Sequence, residues 1–235
     1  MTPTPRGADS AIGIREAVRI LAEHHGSRAA SPALDEFELI LWENVAYLAS
    51  PPRRLEAFEM LKSRIGTSPA AILKASRSAL EAVTSRGILK GTFAAKLREC
   101  ARIALDECGG DVGGALRAAP SRAKRILRSF PGIGEPGADK ILLFAGLGNE
   151  LAPESNGLRV LVRLGLLRDE GSYSRTYAAS RRLAEDLPED TGSRRLAHLL
   201  LREHGQTLCR RSRPRCDACP LRTRCAHARG ESGPT

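Results

Sequence analysis

Aromatic side chains are scarce, at 4% of 235 residues with a single Trp. That argues against a stacking platform of the kind that single-strand and RNA-binding modules use. Lysine is nearly as rare, with six against 31 arginines. The arginine excess needs no more than a GC-rich genome. Any chemistry that requires an amine must still draw on Lys62, Lys74, Lys90, Lys96, Lys124 or Lys140. No apolar run reaches the ~18 residues of a membrane-spanning helix, so no membrane partner is expected. Residues 1–7 are rich in Pro and Thr and lack an apolar stretch, so no signal peptide is read there. The expected location is cytoplasmic, at the nucleoid when bound to its partner. What is present is an apolar fraction of 42%, enough for a real core, and a formal charge of +10. A charge of that sign points to a polyanion, either nucleic acid or an anionic surface.

Strand-like alternation is absent, and helical periodicity runs almost throughout. Phe37, Ile40, Leu41, Asn44, Val45 and Leu48 recur at helical spacing, and similar stripes cover 12–21, 54–65, 93–105 and 157–166. Ser-Pro pairs at 31–32, 50–51 and 68–69 punctuate them, because the residue before proline resists helical geometry. The expectation is an all-α protein of about ten helices, with loose ends at 1–9 and 227–235.

Four of the six cysteines crowd into 17 residues: Cys209, Cys216, Cys219 and Cys225, spaced C-x6-C-x2-C-x5-C. Thiols so close in a chain without a signal peptide read as a metal site rather than as disulfides. Zinc and an iron–sulfur cluster both take four thiolates, and the spacing leaves the two open. Cys100 and Cys108 lie in or beside a helical stripe and read as packing residues. Around the four cysteines, residues 209–229 hold seven arginines and one acid, Asp217. Arg210, Arg211, Arg213 and Arg215 are the candidates for phosphate contact, since the guanidinium fork suits phosphate oxygens.

Residues 121–147 read as two helical stripes joined by Pro131-Gly132-Ile133-Gly134. Glycines permit the tight turn, and bare amides at the start of the next helix cradle a phosphate. This F-P-G-I-G-x-x-x-A hairpin, followed by the cysteine run, resembles the endonuclease III branch of the helix-hairpin-helix DNA glycosylases. The likeness covers about 10–226. It implies two helical lobes with a DNA cleft between them: a helix-hairpin-helix lobe at 36–148, and a cluster lobe from 10–35 and 149–226. It also implies that the four cysteines hold a [4Fe-4S] cluster.

Enzymes of that family act on a base turned out of the duplex. An aspartate assists departure of the base, and in bifunctional members a hairpin lysine attacks the sugar. The lysine position here is Pro136, which has no amine. The aspartate position is Glu154, which keeps the carboxylate one methylene further out and is the expected catalytic group. Asn44 falls where the family has a glutamine that fills the gap left by the flipped base. The likeness allows Glu43 a place in the base pocket, Trp42 a stacking role and Lys140 the part of a substitute amine. Gly132, Ile133 and Gly134 would anchor one phosphate. The expectation is a monomeric, monofunctional glycosylase acting on double-stranded DNA with a damaged or mispaired base. A lyase at abasic sites using another lysine, or a silent binder of damaged DNA, are the alternatives.

Overall fold

In the computed structural model, residues 12–26, 35–46, 49–87 and 89–230 are described. The helices are α1 (Ile14–His25), α2 (Glu36–Val45), α3 (Pro51–Arg64) and α4 (Pro69–Lys74). They continue with α5 (Arg77–Thr84), α6 (Lys90–Cys108), α7 (Val112–Ala118) and α8 (Pro120–Ser129). The last four are α9 (Glu135–Ala145), α10 (Ser155–Leu164), α11 (Tyr173–Ser180) and α12 (Thr191–Thr207). The protein is all-α, with no strand among the described residues. The helices outnumber the ten expected because caps and prolines cut the shorter stripes. Ser68 and Ser76 each accept a hydrogen bond from the backbone two or three positions into α4 and α5. Pro120 starts α8 immediately after α7. The Ser31-Pro32 break lies outside the described residues.

Two compact units divide at Gly148 and Asn149. One is formed by the described residues of 35–148. Its centre is α2, capped by Asp35, whose carboxylate accepts from the Glu38 amide at 2.7 Å. Buried Phe37, Ile40, Leu41 and Val45 of α2 pack with Phe58, Leu61, Leu97 and Leu127. The other unit joins α1 to α10, α11 and α12. Here α10 and α12 lie so close that a Cβ on Gly205 would meet the Asn156 carbonyl oxygen at 2.5 Å. Glycine is required there by space alone. A second apolar core, with Leu21, Leu161, Leu200 and Leu201 at its heart, fills this unit.

The end of the chain is a correction. Residues 227–230 were expected to be loose, yet the His227 amide donates to the Arg163 carbonyl at 3.0 Å and the Arg229 amide to that of Cys225 at 3.1 Å. Ala226 is buried just before them. Residues 1–9 and 231–235 lie outside the described residues.

Candidate functional site

The hairpin between α8 and α9 is built from apolar anchors and one obligatory glycine. Phe130 and Ile133 are buried, and the Ile133 amide closes the turn on the Phe130 carbonyl at 3.2 Å. Gly132 sits at φ 73°, a left-handed conformation that strains any side chain. A Cβ there would also meet Asn44 Oδ1 at 2.9 Å. Gly132 and Gly134 face solvent on either side of buried Ile133. Any phosphate contact of Ile133 is therefore confined to the backbone. Pro136 occupies the first turn of α9, where its missing N–H costs no helical bond.

The same geometry places Asn44. Its side chain is 2% exposed and donates from Nδ2 to the Ile40 carbonyl at 3.1 Å. It lies against the turn at Gly132. Trp42 is half-buried, edge-on to Phe58 with centroids 5.4 Å apart, and Arg54 lies 5.9 Å from its ring. Glu43 and Lys140 come together, with Oε2 and Nζ 2.7 Å apart, and Arg54 approaches the other Glu43 oxygen at 3.9 Å. The two residues that the sequence offered separately form one ion pair. Periodicity gave no sign of Lys124 and Asp139, which pair at 2.5 Å and tie α8 to α9 with the Asp139 side chain fully buried. Lys96 was missed as well. Its Nζ lies 3.8 Å from where a Gly132 Cβ would stand, at the hairpin itself.

In the other unit, Glu154 is the N-cap of α10. Its Oε1 accepts from the Asn156 amide at 3.1 Å and its Oε2 from Asn156 Nδ2 at 3.0 Å. The glutamate itself does the capping. A carboxylate has about four lone-pair sites, so two accepted bonds fix its orientation without exhausting it. Asn156 in turn accepts from Arg159, whose guanidinium also reaches the Gly205 and Cys209 carbonyls at 2.7 and 2.9 Å. Burial pulls the Arg159 pKa down. A continuous chain of hydrogen bonds therefore runs from Glu154 to the backbone of the first cysteine.

Cys209, Cys216, Cys219 and Cys225 line one cavity, with Arg163 and His204 on its wall. Burial pushes the Cys219 thiol up to about 11, helped by the neighbouring thiols, and raises that of Cys225 as well. Four crowded thiols of this kind become thiolates readily only when a cation is among them. The donor set thus fits a thiolate-ligated metal group. No three His, Cys, Asp or Glu side chains among the described residues converge as for a single ion. Arg163 Nη1 lies 3.5 Å from Cys209 Sγ and donates to the Arg210 carbonyl at 2.8 Å, while Nη2 donates to that of Arg211 at 3.1 Å. Its own carbonyl accepts from the Cys225 thiol at 3.2 Å. His204 Nε2 lies 3.4 Å from Cys219 Sγ, and burial, then His25, lowers its pKa to about 4. Arg210, Arg211, Arg213 and Arg215 are all exposed.

The all-helical chain carries a glycine hairpin between two helices of one unit and a four-cysteine loop in the other. The chain is similar in sequence and in fold to endonuclease III. It is 32% identical over 108 residues to the endonuclease III of Sulfolobus acidocaldarius, a match covering 45% of each chain. The matched segment thus spans less than half of that relative. A trapped endonuclease III–DNA covalent intermediate shares the fold with a TM-score of 0.74 at 19% identity, covering 92% of this chain and 96% of that one. A thermostable thymine-DNA glycosylase does so with a TM-score of 0.72 at 18% identity, covering 92% and 97%. No protein-family model matches the chain.

Proposed function

We propose that this protein is a DNA glycosylase that hydrolyses the N-glycosidic bond of a damaged or mispaired base in duplex DNA, without lyase chemistry. Two observations, each in its own unit, carry the reading: Pro136 stands in the first turn of α9, and Glu154 is a held carboxylate. A proline has no amine with which to form a Schiff base. A fixed carboxylate stabilises a developing oxocarbenium ion or orients a water as general base. One structural neighbour is a complex with DNA and another is a thymine-DNA glycosylase, which supports a DNA partner and base excision. In the hairpin unit, the exposed backbone at Gly132 and Gly134 and the ammonium of Lys96 would take a phosphate. In the cysteine unit, the exposed arginines would take others, so binding should weaken steeply with salt. The four cysteines would hold a [4Fe-4S] cluster, whose negative charge Arg163 offsets from beside Cys209.

A lyase reading has one specific observation behind it, the amine of Lys140 against Glu43. The test separates the readings. Duplex oligonucleotides, each with one lesion or an abasic site, are incubated with the wild type or Glu154→Gln and read with and without hot alkali. Breaks that need alkali and vanish in Glu154→Gln are expected. Breaks without alkali, trapped by borohydride and lost in Lys140→Met, would establish the lyase instead. Tight binding to damaged duplex with no cleavage would leave a silent binder.

A further inference from the structure

Beyond the four cysteines, a pair of histidines reaches the loop from two different helices. His204, in the last turn of α12, places Nε2 3.4 Å from Cys219 Sγ. Its other nitrogen, Nδ1, lies 3.2 Å from Nε2 of His25, the last residue of α1. The two rings meet edge to face, with centroids 5.5 Å apart at 72°. The order of protons along this row follows from the ends. A ligating sulfur is a thiolate and only accepts, so Nε2 of His204 must carry the hydrogen that faces it. A neutral imidazole with its hydrogen on Nε2 presents a bare Nδ1. His25 must then donate from its own Nε2, which locks both tautomers. Glu16 of α1 also pairs with Arg224 of the cysteine loop, so α1 grips the loop at two places.

We propose that His25 and His204 form a hydrogen-bond relay through which α1 positions Cys219 as a metal ligand and tunes the group it holds. The relay rests on the reading that the four cysteines bind an iron–sulfur cluster. Hydrogen bonds to cluster sulfurs stabilise the more negative, reduced state and so raise the reduction potential. They also hold the ligand in place, and losing such a partner typically weakens metal retention about 10-fold or more. His204 and His25 are positioning residues, since neither touches DNA or a reacting atom in this reading.

The test uses the full chain, purified without oxygen, and reads visible absorption, iron content and the midpoint potential. His204→Phe should move the potential to more negative values and shorten the half-life of the absorption in air about 10-fold. His204→Gln, which restores an N–H donor, should return both most of the way. His25→Phe should shift both in the same direction by less, and it carries the test if His204→Phe fails to fold by circular dichroism. Wild-type potential and half-life in His25→Phe and in a folded His204→Phe would overturn the relay while leaving the cluster intact. A wild-type chain without iron or visible absorption would overturn the cluster reading and the relay together.

Discussion

The hairpin and the cysteine loop both hold a solvent-facing segment in one shape, and they do so with opposite chemistry. The hairpin hangs between two proper helices, on buried Phe130 and Ile133, a glycine that nothing else can replace, and the Lys124–Asp139 pair. The loop has only two single 3-10 turns, Cys216–Ala218 and Arg222–Arg224, neither with a buried residue. Its bonds run to Arg159, Arg163 and His204, and its centre is four thiols. Apolar burial holds the hairpin without help from any ligand, at about 25 cal/mol per Å² removed from water. The loop buries Leu221 and Cys225 at the edge of the second core but leaves its centre to whatever the thiols bind.

That contrast is open to direct attack. If the thiols hold the proposed cluster, stripping it with chelator and oxidant should produce the largest effect and confine it to one side. Hydrogen exchange at 209–229 should rise to the level of an unfolded segment, while α8 and α9 keep their protection. Four-thiolate sites couple of order 10 kcal/mol of binding to local folding. Equal loss of protection in both units would end the comparison.

Lys124→Met comes next, because it leaves the buried Asp139 carboxylate without its cation. Breaking a buried pair costs about 3 kcal/mol or more. Denaturant melts should show that loss, and Lys124→Met combined with Asp139→Leu should recover most of it. Gly132→Ala should cost about 2 kcal/mol, from a left-handed alanine and the collision with Asn44 Oδ1. Under the proposed function, DNA affinity should fall with it.

The smallest effect is on pH dependence, through Cys100 in α6. Burial pushes its thiol up to about 12 from an ordinary 9. The unfolded chain releases this proton near pH 9 and the folded chain retains it, so stability falls as pH rises from 9 toward 12. By pH 10 the loss should reach about 1 kcal/mol. In urea melts, Cys100→Ala should flatten that alkaline limb.

The stripe at 93–105 fell inside α6 and that at 54–65 overlapped α3 to its C-cap, and the Gly132 turn and the cysteine run were plain as strings. Each of these depends on neighbours a few positions apart, where propensity, turn geometry and ligand spacing act directly. Glu154 was legible as a carboxylate ahead of the 157–166 stripe, but not as the cap of the helix. Asn44 looked like a contact residue because nothing local says that a hairpin more than 80 positions later will cover it.

By itself, then, the sequence determined an all-helical chain, a glycine hairpin, an amine missing at Pro136 and four thiols at fixed intervals. Only the tertiary structure decided that Glu43 meets Lys140, that Lys124 meets Asp139, and that Arg163 staples the loop. It alone set His25 and His204 in line behind Cys219. His25 and His204 are 179 positions apart. Contacts of that span exist only after two apolar cores have brought their helices together, and no local pattern in the chain encodes which polar groups then face each other.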